Sequence, residues 1–381
     1  MYKSYKFRLY PNKEQKEIIN KEMDSCRFIY NYFLNKIIET YYTSIAQNTK
    51  YYINYLKYKF PFLQESNEES LIKTLYILDN NLKRCTSNQQ RFPKFKSKYK
   101  RNSYFIKNLN KSSKSNDYYK IELDLMNRVI KLPKLKNIKV RGYKNIEHIN
   151  GKILSVTISK ESDDKYYVSV LYEMNEKIKK VIPTSIVGID IGVKKLLTLS
   201  DGNTYENNKY IEKHEKQIKR MQRKLSKKVK GSNNYYKYKK KLAILHNKIA
   251  NSRKHYIHKI TKNITNKYDI IVCETLHTKE MIIGGKKNTL SKHINDASFN
   301  EILRQLEYKS RFKGKQFYQI YDYYPSSQIC SSCNKQDKKY KNLNERIYKC
   351  TNCHLEMDRD LNASINIMFE GLKMHIKNYK N

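Results

Sequence analysis

Two kinds of chemistry stand close together near the C-terminal end of this sequence. Cys330 and Cys333 form one C-x-x-C turn, and Cys350 and Cys353 form a second, with sixteen residues between the pairs. Two such turns let four thiolates surround one tetrahedral Zn²⁺, whereas a redox role needs only one pair. A closed four-cysteine site is structural, so it is assigned no catalysis. Cys26, Cys85 and Cys273 lack such spacing and are expected in the core. Asp358 and Asp360 follow the second turn directly, in "CTNCHLEMDRDLNASINI".

Two further carboxylates sit where charge is costly. Asp190 lies in "IVGIDIG" and Glu274 ends "IIVCE", both apolar runs of strand type. A charge in a buried strand costs several kcal/mol unless it is compensated. Either acid alone is as well explained by a strand end turned to solvent; two in one region favour function. Gly192, just after Asp190, permits close backbone approach. Asp360 precedes a helical pattern with Leu361, Ile365, Met368 and Leu372 on one face, so it reads equally as an N-cap or as a third acid. Three such carboxylates suit two Mg²⁺ ions, which prefer oxygen ligands and support phosphodiester hydrolysis. No Ser/His/Asp arrangement, P-loop or dinucleotide glycine pattern accompanies them.

The elements that must position these groups fall into three regions. Residues 2–10 alternate like a strand, and helical spacing runs from Pro11 to about residue 90. After the basic segment "RFPKFKSKYKRNSYF", short alternating runs up to "YYVSVLYE" predict a small antiparallel sheet or barrel. Residues 176–183 read as a linker. From 185 the pattern gives a strand pair, a Lys-rich helical hairpin over 206–267 broken near 230–234, and a buried strand at 268–274. A helix near 297–313, a strand at 316–323, the cysteine segment and a last helix complete it.

The chain carries 78 Lys and Arg against 36 Asp and Glu, a formal charge of +42. An AT-rich codon bias explains why only 14 of the cations are Arg, but not the shortage of acids. Such a surface repels itself unless a polyanion neutralises it, which points to nucleic acid. Lys94, Lys96 and Lys98 in the basic segment are candidate contacts. No apolar run reaches the roughly 18 residues of a membrane span. The N-terminus has no signal-peptide core, and seven cysteines do not make a secreted framework. A cytoplasmic protein with no membrane partner is expected.

In order, "KFRLYPNKEQ", "CRFIYNYFLN", "RFPKFKSK", "IKLPKLKNIKVRGY", "GIDIGVKKLLTLSDG", "IVCETLHT", "DASFNEILRQLEYKSRFKGKQF", the paired C-x-x-C turns and "DRDLNASINI" span the chain. This series resembles the transposon-encoded TnpB family, relatives of type V CRISPR effectors. The resemblance implies a multidomain α+β and α/β protein. A wedge-like β-barrel domain would take 1–10 and 91–180, with a helical recognition domain inserted at 11–90. An RNase H-like, RuvC-type nuclease domain would take 181–381, interrupted by a zinc ribbon at about 326–355. It implies a guide RNA from the transposon end, a double-stranded DNA target beside a short motif, and Mg²⁺-dependent cleavage, with base pairing reading most of the target. By motif, Asp190, Glu274 and Asp360 are then the catalytic, Mg²⁺-binding acids, with Asp360 preferred over Asp358 because it stands before "xNA". Ser364 replaces a common Ala. A non-cleaving regulator and a strand-joining transposase are the rival classes; the three intact acids disfavour the first.

Overall fold

Unit one is built outward from its first strand. In β1 (Tyr2–Tyr10), Tyr5, Phe7 and Leu9 point into the core while Lys6 and Arg8 alternate with them. A reciprocal cap follows: Asn12 Oδ1 accepts the Gln15 N–H at 2.8 Å, and Gln15 Oε1 accepts the Asn12 N–H at 3.0 Å. It opens α1 (Lys13–Thr40), whose buried Ile19, Met23, Cys26, Ile29, Phe33 and Ile37 recur at helical spacing. The computed structural model describes residues 1–381 except 41–48, 109–119, 143–147, 176, 279–287, 343–344 and 381. Helices α2 (Thr49–Lys59) and α3 (Glu68–Thr86) complete the helical block. Then come β2 (Asn102–Lys107), β3 (Glu122–Asp124), β4 (Val129–Leu132), β5 (Lys136–Arg141), β6 (Gly151–Lys160) and β7 (Tyr166–Met174). The seven strands pair antiparallel in the order β2-β6-β7-β1-β5-β4-β3, so β2 and β3 are the edges among the described pairings. Strand β2 lies inside the segment read as merely basic. Its Tyr104 and Ile106 are buried, and the surrounding lysines mask that alternation in the sequence.

Lys177 ends this unit and Ile178 begins the second. Residues expected as a linker pack locally in unit two: the Val181 N–H donates to Gly314 O at 2.9 Å. A Cβ on Gly314 would fall 1.8 Å from Lys179 O, and its φ is +70°, so glycine is required there.

Unit two opens with β8 (Ile186–Ile191), β9 (Lys195–Leu199) and β10 (Thr204–Glu206). The short α4 (Tyr210–Lys213) leads to the hairpin α5 (Glu215–Ser226) and α6 (Asn233–Lys267), then β11 (Ile270–Cys273). Next are α7 (Asn288–Ala297), α8 (Phe299–Phe312) and β12 (Gln316–Gln319). The ribbon strands β13 (Ile347–Lys349) and β14 (Glu356–Asp358) precede α9 (Arg359–Lys380). The main sheet runs β10-β9-β8-β11-β12, with β8, β11 and β12 parallel and the other pairs antiparallel. Parallel neighbours need a crossover, which the long hairpin supplies between β8 and β11. Val187, Ile189 and Ile191 face a core shared with Ile257, Ile260 and Ile264 of α6 and Phe299, Ile302 and Leu306 of α8.

Two boundaries differ from the sequence reading. The strand expected over 316–323 stops at Gln319, because Tyr321 and Tyr323 turn outward and Tyr323 has a φ of 61°. The helix expected near 297–313 is α8, and α7 before it went unread; Ser298, with a φ of 57°, separates the two.

Candidate active site and metal centre

Register brings the first two carboxylates together. Val272 of β11 pairs with Gly188 of β8, and Cys273 with Ile189, so Glu274 stands level with Asp190 one strand away. Adjacent strands lie about 4.8 Å apart. Side chains alternate, so Asp190 shares the Gly188 face and Glu274 shares the Val272 face. That face is covered by α9. A Cβ on Gly188 would sit 2.0 Å from Ser364 O, and one on Gly371 would sit 2.3 Å from a Val272 methyl. Both glycines are therefore needed for helix and sheet to meet. Asp360 is one helical turn before Ser364, on the stripe that lies over Gly188. Moving along β8 from Gly188 to Asp190 and back along α9 from Ser364 to Asp360 converges on one place. The chain leaves β8 and β11 toward opposite sides there, the kind of switch point at which ligands bind in open α/β sheets.

The electrostatics match this convergence. Burial pushes the Asp190 carboxyl well above the ordinary range, and the neighbouring charges of Glu274 and Asp360 push it further; the Arg359 guanidinium and the Ile191 N–H oppose them. Burial also raises Glu274, against the Ser326 hydroxyl and Arg359. Arg359 is 6% exposed and donates through Nη1 to Asn342 O at 2.9 Å. Asp360 has Arg346 Nη1 at 3.6 Å. Mutual repulsion among these half-buried carboxylates is what a bound cation would relieve. Among the described residues only the cysteines bring three or more metal-donor atoms within 4.8 Å of one another. Asp190, Glu274 and Asp360 do not bring their oxygens that close together.

Asp358 has different work. Its Oδ1 accepts the N–H groups of Asp360 and Leu361 at 2.9 and 3.1 Å, and its Oδ2 lies 3.1 Å from Lys195 Nζ. Asp358 is the cap of α9, the role that the sequence left open for Asp360.

The four cysteines form a separate centre. Cys330 and Cys353 Sγ are 3.5 Å apart, as are Cys333 and Cys350 Sγ. Tetrahedral Zn–S bonds of about 2.3 Å put sulfurs about 3.8 Å apart. The two turns match. Each second cysteine is followed by a left-handed residue, Asn334 or His354, whose N–H returns to the first cysteine's carbonyl at 2.9 or 3.1 Å. Asn352 and the Lys335 N–H draw the Cys333 thiol down to about 6, while burial drives Cys330 to about 12. Four sulfurs at this range could hold one metal ion between them. Around them the ribbon buries little beyond Tyr340 and Tyr348, so a metal is the main staple available to it.

Of the other candidates, Lys94 and Lys98 are exposed, beside exposed Phe92, Phe95 and Tyr99. Lys96 instead lies 3.9 Å from the centre of the Tyr30 ring, and its backbone is bracketed by Asn31. On α5, Lys216, Arg220 and Arg223, with Lys227 just past its end, line a hollow of about 450 Å³. Sequence reasoning missed Ser326, Arg359, Asn362 and Asn366. The signal for the two asparagines was present: polar residues four apart on the buried stripe of the last helix.

Three family models match in chain order. "Helix-turn-helix domain" of OrfB_IS605 covers residues 1–45, "Probable transposase" OrfB_IS605 covers 169–283, and "Cas12f1-like, TNB domain" covers 299–367. Over the described part of the first of these spans, residues 1–40, the structure has a strand and one long helix. The chain is 29% identical over 97% of its length to "Putative RNA-guided DNA endonuclease InsQ" of Escherichia coli (strain K12), covering 92% of that protein. Along nearly its whole length the chain resembles TnpB-type proteins. A second relative, "Putative RNA-guided DNA endonuclease" of Streptomyces pristinaespiralis, is 27% identical over 97% of this chain and 89% of its own. The fold is shared with the protein in "Cryo-EM structure of the Cas12f1-sgRNA-target DNA complex", at a TM-score of 0.57 and 15% identity over 97% of this chain and 98% of that one. No helix among the described residues is long and apolar enough to cross a membrane.

Proposed function

We propose that this TnpB-like chain is an RNA-guided DNA endonuclease of RuvC type, cutting double-stranded DNA next to a short adjacent motif under a guide RNA from its transposon end. The observation that carries this reading is the register of β8 and β11, which sets Glu274 level with Asp190 on the face that α9 approaches with Asp360. The sheet order, numbered from its own first strand, is 3-2-1-4-5 with strands 1, 4 and 5 parallel, as expected of an RNase H-like domain. Names of relatives and the net charge of +42 support nucleic-acid partners.

The division of labour follows from the donors. Asp190, Glu274 and Asp360 hold two Mg²⁺ ions, and Cys330, Cys333, Cys350 and Cys353 hold one structural Zn²⁺. Bound at the acids, Mg²⁺ supplies Lewis acidity for phosphodiester hydrolysis and a water of lowered pKa. Asp190 feels the charges of both other acids, so an ion held there would favour its charged form. Asp358 fixes the backbone that carries Asp360, and Arg359 limits the negative potential when the site is empty. The wedge (1–10 and 91–180), recognition (11–90) and nuclease (181–381) divisions, with a ribbon over about 326–355, carry over as part of the proposal, as does a cytoplasmic setting.

Co-expression with the flanking transposon-end sequence, followed by sequencing of RNA bound to the purified protein, tests the guided reading. A discrete transposon-end RNA is expected. Protein that binds no RNA yet joins DNA strands would instead be a transposase.

A further inference from the structure

Ser326 sits just ahead of the first cysteine turn and is 4% exposed, yet its hydroxyl donates to Glu274 Oε1, 52 residues away in sequence. Its backbone is held on both sides. The Ser326 N–H donates to Tyr324 O at 2.8 Å, and its carbonyl accepts Asn366 Nδ2 at 2.8 Å. Asn366, 2% exposed, also donates to Ile329 O at 2.7 Å. One turn earlier on α9, the fully buried Asn362 donates to Ile329 O at 2.6 Å and accepts the Ser331 N–H at 2.9 Å. The two asparagines therefore strap residues 326–331 to the helix that carries Asp360.

We propose that Ser326 is a positioning residue for Glu274: anchored to α9 through Asn366, it fixes one carboxylate oxygen and leaves the other to face the metal. The inference rests on the proposal that Glu274 is a metal ligand. The Glu274 side chain has three torsions, and a donor held on one oxygen restricts them together. Because Asn362 and Asn366 share a helix with Asp360, one hydrogen-bonded frame sets two of the three acids. The same frame ends at Cys330, so the ribbon and the acidic site share a support.

Direct binding of Mn²⁺ to the full-length, zinc-loaded protein, followed by electron paramagnetic resonance without any cleavage, provides the test. Ser326→Ala is expected to weaken Mn²⁺ binding about ten-fold, with zinc content and melting temperature unchanged. Ser326→Thr, which keeps the hydroxyl, is expected to restore it. Asp190→Ala is the control for the underlying reading. If it leaves Mn²⁺ binding intact, the metal site and the positioning role fall together. If Asp190→Ala abolishes binding while Ser326→Ala matches the wild type, only the positioning role falls. Should Ser326→Ala lose zinc or melt early, Ser326→Cys replaces it, since a thiol of similar size is a weaker donor. Wild-type Mn²⁺ affinity in Ser326→Cys would overturn the proposal.

Discussion

Asp358 Oδ1 accepts the backbone N–H of Asp360 at 2.9 Å, so one acid of the DRD sequence holds the other in place. The two residues lie two positions apart and have opposite fates. Asp358 turns to the helix backbone and to Lys195, while Asp360 lies on the stripe facing Gly188 and adds to the field on Asp190.

Substitution separates these roles. Asp358→Ala removes an N-cap that also steadies Asp360, and is expected to cost about 1 kcal/mol of stability while slowing cleavage without abolishing it. The Lys195 pair, with both side chains more than a third exposed, adds little. Asp360→Ala is expected to abolish cleavage with no loss of stability, because a like charge near Asp190 disappears. Thermal melts beside a cleavage assay check both; equal catalytic defects in the two variants would contradict the assignment.

The raised carboxyls make the metal-free protein sensitive to pH in a defined direction. Asp190 and Glu274 hold protons more tightly in the folded chain than in the unfolded one. Folding therefore takes up protons, and stability falls as pH rises from the unfolded value of about 4 up through the raised folded values. Asp190→Asn removes part of that penalty. Its melting temperature without divalent metal should exceed the wild type's by more at pH 8 than at pH 5. A constant difference across that range would count against a buried acid cluster.

Asp269 behaves in the opposite sense. Burial disfavours its charge, but the Thr184 N–H, Lys315 and the Thr184 and Ser185 hydroxyls outweigh it and hold the carboxyl at about 2. These bonds fasten the start of β8 to β11 and β12, upstream of both strand acids. The contribution is complete above the unfolded pKa and is lost as pH falls through the folded value. Asp269→Asn should therefore lower stability by about 1–2 kcal/mol at pH 7 and hardly at all at pH 2. Denaturant midpoints at the two pH values measure it.

Zinc removal should reach the acidic site through structure. With Mg²⁺ in excess, a zinc-selective chelator is expected to lower the melting temperature and stop cleavage, as is Cys350→Ser. Metal analysis would show one zinc per chain before treatment and none after. Full cleavage by zinc-free protein would remove the ribbon from any supporting role.

The elements with strong local signals were legible in the sequence. The paired cysteine turns, the β8 and β11 runs and the amphipathic α1 depend on spacing that one strand or helix carries alone. The capping role of Asp358 was not, because capping depends on which side chain meets which N–H at the junction of β14 and α9. Ser326 was invisible for a related reason. A serine in a Tyr- and Pro-rich connection has no periodicity, and its partner is 52 residues away. Strand β2 was hidden by lysines flanking a short alternation, and the Ile178–Val181 stretch looked like a linker because its contact is with the backbone at Gly314.

The most direct test of the central claim is cleavage of a linear double-stranded DNA matched to the copurified RNA, with Mg²⁺, by wild-type protein and by Asp190→Ala, Glu274→Ala and Asp360→Ala. The account predicts one cut site for the wild type, dependent on the RNA match and on Mg²⁺, and none for the three variants, which keep their zinc and their bound RNA. Cleavage by Asp190→Ala at the wild-type rate would contradict it.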